Sequence, residues 1–134
     1  MAIPNSAPPE VSIVLAVYNE GRRLSETLAA IRDSTNVSYE VIVVNDASTD
    51  ACCDPLRADP SPFENLVLVD LPKRHGVAQA RNLGAERASA PVLLATDAHC
   101  IPRPRWLEKL LEELHKPGVG RVACRSRRRY NTRF

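Results

Sequence analysis

Four short apolar runs, each ending in polar residues and followed by a segment of different character, constrain this chain more than any other feature. They are VSIVLAV (11–17), YEVIVVND (39–46), NLVLVD (65–70) and PVLLAT (91–96). Each is nearly continuous rather than alternating, which predicts strands buried on both faces. After the first comes NEGRRLSETLAAIRDS, with Leu24, Leu28 and Ile31 at helical spacing and Asn19 placed to cap the start. ASTDACCDPLRADPSP is a polar, Pro-rich connection with room for a short helix. HGVAQARNLGAERASA (75–90) reads as a helix with small residues on its packing face. RPRWLEKLLEELHK (103–116) reads as an amphipathic helix, with Pro104 in its first turn and Trp106, Leu107, Leu110, Leu111 and Leu114 inward. GRVACR is placed to start a fifth strand.

Strand and helix in alternation predict an α/β fold, a mainly parallel Rossmann-like sheet with helices on both faces. At 134 residues the chain has room for one such domain and not two. Residues 1–10, with three Pro and no apolar periodicity, read as a flexible lead-in. Residues 11–120 form the α/β unit and 121–134 a basic tail.

The charge supports that division. Six of the 18 basic residues are Arg in 121–134, which holds no acid, so the first 120 residues carry 12 basic against 16 acidic groups. A mildly acidic body argues against a nucleic-acid partner. Cys52, Cys53, Cys100 and Cys124 match no zinc spacing and no disulfide framework. Free thiols point to the cytoplasm, with the inner face of the membrane as a further setting. The N-terminus lacks the pattern of a secretory signal, and no apolar run is long enough for a transmembrane segment.

In open parallel sheets, ligands bind at the carboxyl ends of the strands. The residues just past the four runs are Tyr18 to Glu20, Asn45 to Ser48, Asp70, and Asp97 to His99, so polar groups gather where a ligand would sit. Neither a GxGxxG after the first strand nor a GxxxxGK[ST] occurs, which removes the main support for a nicotinamide enzyme or a P-loop phosphotransferase.

Asp97 and His99 stand two apart. If the chain stays extended there, both point the same way and can reach one divalent ion. A mixed oxygen and nitrogen pair suits Mn²⁺ better than Ca²⁺. Asp97 as a cap and His99 as an ordinary loop histidine is the competing account. Asp46 can accept hydrogen bonds from a ribose or base, or serve turn chemistry. Glu20 can interact with the first helix dipole. Arg81 can aim at a nucleotide or be solvated. Cys100 beside His99 does not make a nucleophile pair, because neighbours on a strand point apart.

The segments VSIVLAVYNEGRRLSETLAAI, YEVIVVNDASTD, GVAQARNLGAERASAPVLLATDAHC and PRWLEKLL occur in the order and spacing of family 2 glycosyltransferases. The chain therefore resembles that family, and its GT-A fold, over residues 11 to about 116. The resemblance implies a nucleotide-diphospho-sugar site. Val17, Tyr18 and Glu20 would line the nucleotide, Asp46 would meet the base, typically uracil, and Arg81 and Asp97 would lie at the donor. Asp97 would open the D-x-D metal motif. His99 replaces the usual second Asp, as in the similar D-x-H form of polypeptide N-acetylgalactosaminyltransferases, and Asp97 and His99 would hold Mn²⁺ or Mg²⁺. The implied reaction is transfer of a hexosyl or N-acetylhexosaminyl group from a UDP-linked donor to a glycan, lipid or protein acceptor. The resemblance covers the donor half of a GT-A domain, so the chain reads as truncated, with the catalytic base expected beyond Phe134. A non-catalytic nucleotide-binding remnant or truncated gene product is the other reading of the same residues.

Overall fold

The computed structural model describes residues 8–63 and 65–123. Four strands and four helices alternate: β1 (Val11–Val17), α1 (Arg23–Ser34), β2 (Tyr39–Asn45), α2 (Asp54–Ala58), β3 (Leu66–Asp70), α3 (Val77–Glu86), β4 (Val92–Asp97) and α4 (Trp106–Leu114). The sheet is parallel throughout, in the order β3-β2-β1-β4.

Right-handed crossovers explain how the helices are distributed. From β1 through β2 to β3 the chain steps one way across the sheet. The next step runs back past β2 and β1 to β4, so its helix must lie on the opposite face. One face accordingly packs Val11, Ile13, Leu15, Val17, Val41 and Val43 against Leu24, Leu28 and Ile31 of α1, Leu56 of α2, and Leu107 and Leu111 of α4. The other packs Val14, Ile42 and Val44 against Ala80 of α3.

Gly84 shows how closely α3 approaches the sheet. A Cβ there would lie 2.5 Å from Cγ1 of Val14 and 2.9 Å from Cγ2 of Val44. Overpacking of this kind costs about 1–3 kcal/mol, more than the roughly 1 kcal/mol that Ala gains over Gly in a helix. Gly84→Ala is therefore expected to lower the urea midpoint with the slope unchanged. An unchanged or higher midpoint would mean that the sheet yields without penalty.

Several sequence expectations need correction. β1 and β2 are buried on both faces, but β3 and β4 are edge strands; Val67 is 38% and Leu93 52% exposed. Their faces on the α3 side are less covered because α3 sits over β1 and β2. Asn19 does not cap α1, which starts at Arg23 with Arg22 in the cap position; its side chain is used elsewhere. α4 starts after Pro104, because Arg105 adopts φ 61° and its N–H is held by the Ser34 carbonyl at 2.7 Å. Residues 120–123 form no strand, and the rest of the expected fifth strand lies outside the described residues. So do residues 1–7 of the lead-in and 124–134 of the basic tail, although Glu10 is tied to Ser38 by a 3.0 Å backbone hydrogen bond.

Among the described residues no helix is long and apolar enough to cross a membrane. Cys52, Cys53 and Cys100 are free thiols, and burial followed by the neighbouring Cys52 pushes Cys53 up to about 12. A thiol so rarely ionised near neutrality packs rather than reacts.

Candidate functional site

The reversal of chain direction in the sheet places a crevice between the carboxyl ends of β1 and β4. The loops after β1, β2 and β4 leave this same end of the sheet, and each is fastened by side chains the sequence already marked as polar.

Asn19 fastens the first two loops together. It lies in the left-handed region at φ 51°, which Asn tolerates better than most residues. Its Oδ1 accepts the N–H groups of Thr49 at 2.7 Å and Asp50 at 3.1 Å, and its own N–H donates to Oγ of Ser48 at 3.0 Å. Gly21 N–H donates to the Asp50 carboxylate at 3.0 Å. Hydrogen bonding by Cys52, with the Gly21 amide contributing, holds that carboxyl below its usual range. Asn45 accepts the Ser48 N–H at 3.0 Å and donates to Asp70 at 2.8 Å. Asp70 is thereby committed to structure, since its other partner is the Arg57 guanidinium, which holds it below the usual carboxylate range.

Asp46 is 3% exposed. Its two oxygens accept the N–H groups of His75 at 2.7 Å and Gly76 at 2.9 Å, at the head of α3. It therefore holds the backbone just ahead of that helix from the end of β2, where the helix dipole favours an anion. Nε of Arg74 lies 3.9 Å from the same carboxylate, and the Arg74 guanidinium carbon sits 3.6 Å from the centre of the Tyr18 ring. Tyr18, Asp46 and Arg74 thus form one cluster. Val17 lies beneath it with its side chain fully buried and its carbonyl bonded to the Asp46 N–H at 2.8 Å, so it supports the cluster rather than facing the crevice.

A second cluster forms at the D-x-H segment. The chain does not stay extended after Asp97; it turns, with Cys100 N–H on the Asp97 carbonyl at 3.3 Å. Ala98 is fully buried, and its carbonyl takes the hydroxyl of Thr27 from α1 at 2.7 Å. Asp97 and His99 still converge: His99 Nε2 is 3.9 Å from Asp97 Oδ2. The other Asp97 oxygen binds Arg81 at 2.7 Å, and His99 Nδ1 faces Glu20 at 3.3 Å. Glu20, Arg81, Asp97 and His99 therefore meet, while Tyr18 and Asp46 belong to a separate cluster with Arg74.

Adjacent donors on an octahedral ion with bonds of about 2.1 Å stand about 3.0 Å apart, so the carboxylate oxygen and imidazole nitrogen, of the right chemical kind for Mn²⁺ or Mg²⁺, would close by about 1 Å on a cation. Among the described residues no three His, Cys, Asp or Glu side chains form a ready-made metal cluster. Two protein donors would leave most positions open to ligand oxygens.

Arg74, the clasp made by Asn19 and the amides at the head of α3 escape a reading of the sequence. Only the Gly76 position offered a signal. A Gly just before a helix marks a turn that can present amides, and here Gly76 has φ 89°.

A parallel sheet with this switch point, bearing carboxylate, imidazole and guanidinium groups at the strand ends, has the α/β architecture of the GT-A fold. The family model for glycosyl transferase family 2 matches residues 12–134, and the chain belongs to that family. It is 32% identical over 119 residues to glycosyltransferase AglE of Haloferax volcanii, covering 87% of this chain and 39% of that protein. It is 33% identical over 115 residues to human polypeptide N-acetylgalactosaminyltransferase 15, covering 83% of this chain and 18% of the relative. Among solved structures it resembles the mannosyltransferase PcManGT from Pyrobaculum calidifontis in complex with GDP-Man and Mn²⁺. The TM-score is 0.81 at 31% identity, over 94% of this chain and 38% of that one. S. aureus TarS in complex with UDP-GlcNAc shares the fold, with a TM-score of 0.70 at 22% identity over 79% of this chain and 32% of that one. The chain thus spans about two fifths or less of these proteins' lengths.

Proposed function

We propose that this chain carries the donor side of a glycosyltransferase site, binding a nucleoside diphosphate sugar through a divalent cation for transfer to a glycan, lipid or protein acceptor. The observation that carries the reading is the convergence of Asp97 and His99, 3.9 Å apart, at the end of β4 beside the switch point. Mn²⁺ or Mg²⁺ would be held by Asp97 and His99. When bound, the cation stabilises the negative charge that builds on the departing diphosphate.

The chain's own residues do the rest. Tyr18 and Arg74 offer a flat wall for a base. Asp46 keeps one further acceptor site on each oxygen for the base or ribose. Glu20 acts at the donor through its neighbours, and Arg81 holds Asp97 in place. UDP is the expected nucleotide. The complex of PcManGT with GDP-Man makes GDP the alternative worth comparing. A catalytic base is proposed to come from outside these 134 residues, which span about two fifths or less of the relatives' lengths. The free thiols support a cytoplasmic setting.

Calorimetric titration of the folded chain with UDP and with GDP, in Mn²⁺ and then in chelator, tests the reading. Binding of at least one nucleotide that vanishes with chelator is expected. A folded chain that binds neither would overturn it.

A further inference from the structure

We propose that Glu20 is a positioning residue for His99: it takes the Nδ1 proton and so turns an unprotonated Nε2 toward Asp97, the side on which a cation would be held. The inference rests on the metal reading above and adds a residue and a tautomer to it.

The geometry is asymmetric around one imidazole. Nδ1 lies 3.3 Å from Oε1 of Glu20, within hydrogen-bond reach, whereas Nε2 lies 3.9 Å from Oδ2 of Asp97, beyond it. A neutral imidazole carries one proton, and an ionised carboxylate can only accept. Both flanking groups are carboxylates, so the nearer one takes the proton. That leaves the Nε2 lone pair facing Asp97. A ligating histidine is ordinarily fixed in this way, through a carboxylate on its other nitrogen.

The two carboxylates are not interchangeable. Asp97 has one oxygen bound to Arg81 at 2.7 Å and the other free toward the imidazole. The Glu20 carboxylate pairs with His99, and it is 14% exposed against 49% for the imidazole. Glu20 is also held from behind. It lies between Asn19 and Gly21, both at positive φ and both hydrogen-bonded to the loop after β2. The His99 side is held by Thr27 through the Ala98 carbonyl. Both halves of the pair therefore stand on fixed backbone, 79 residues apart in sequence.

The test is NMR of the histidine rings in the full chain at about pH 8, above the usual histidine range. Long-range ¹⁵N–¹³C correlations report the tautomer, and Mn²⁺ alone, added stepwise, broadens rings near which it binds. His99 is expected to carry its proton on Nδ1 in the unsubstituted chain and to move toward the Nε2 form in Glu20→Ala. The Mn²⁺ concentration that gives equal broadening of His99 is expected to rise about 10- to 100-fold in Glu20→Ala, the usual penalty for an outer partner of a ligand. Glu20→Gln, whose carbonyl oxygen still accepts from Nδ1, is expected to restore most of both signals, which a general loosening of the loop would not. An Nε2 proton in the unsubstituted chain, or a tautomer indifferent to Glu20, overturns the proposal. So does Mn²⁺ broadening that Glu20→Ala leaves unchanged, and in that case the metal reading survives. No selective broadening of His99 in the unsubstituted chain removes the metal reading itself, and the positioning role falls with it.

Discussion

Asp46→Ala is expected to cost this fold about 2–4 kcal/mol, a large part of the roughly 5–15 kcal/mol by which a domain is stable. The carboxylate is almost wholly buried, and it receives the two amides, His75 and Gly76, that open α3. Removing it strands both donors in a partly buried place, at about 1–3 kcal/mol for an unmet buried group. It also removes the anion from the positive end of the helix dipole. Asp46→Asn should fall between. Its oxygen keeps one amide, while its own N–H₂ is set against the other. Urea unfolding of the two variants reads these losses directly. If Asp46→Ala leaves the midpoint in place and only nucleotide binding falls, the carboxylate serves the ligand and not the helix. If both fall, titration at a temperature where the variant remains folded separates the two roles.

The bond from Asp46 to the head of α3 marks the limit of what the sequence disclosed. Asp46 stood out because it follows a strand, and that rule located it correctly. Its bond to α3 depends on a partner 29 residues away, which no local pattern encodes. Asn19 failed in the opposite way. Its type and place before a periodic segment matched a helix cap, but the Thr49 and Asp50 amides competed for the same side chain and held it. The strands were legible to the extent that they were enclosed. β1 is apolar except for Ser12 and buried except for Ala16, and β2 is apolar and buried from Val41 to Val44. The runs at β3 and β4 look alike in sequence, yet they lie at the edges with one face less covered, and an apolar run does not say how many neighbours it has. For the site, the D-x-H spacing brought Asp97 and His99 to notice, and the family resemblance gave them a shared purpose. Their convergence arises from a turn rather than from the extended chain the spacing suggested. Arg74 gave no signal because a basic residue in KRHG is indistinguishable from a solvated one until Tyr18 is found beneath it.

The largest effect on ligand binding is expected from Asp97. Asp97→Ala should weaken Mn²⁺-dependent binding of the nucleoside diphosphate by at least about 100-fold, beyond the 10- to 100-fold expected of an outer partner such as Glu20. The reason is that Asp97 divides its two oxygens, one to Arg81 and one toward the His99 nitrogen, and supplies the only carboxylate on the cation's side of that imidazole among the described residues. Stability should change little. The Arg81–Asp97 pair is 37% and 47% exposed, a setting in which ion pairs contribute roughly 0–1 kcal/mol. The strand end is secured independently, by register with Ala16 of β1 and by the Thr27 bond to the Ala98 carbonyl. Asp97→Asn separates charge from shape: it keeps an oxygen near His99 but gives up the negative charge that holds both Arg81 and the cation, so it too should bind weakly. Arg81→Ala should retain metal dependence, because the oxygen facing His99 is not the one Arg81 holds. The decisive comparison is the ratio of nucleotide affinity with Mn²⁺ to that with chelator. A ratio that collapses to one in Asp97→Ala and His99→Ala but persists in Arg81→Ala assigns the cation to the D-x-H pair. A ratio that persists in Asp97→Ala assigns it elsewhere, and the two residues then return to their simplest role, closing a turn at the end of a strand.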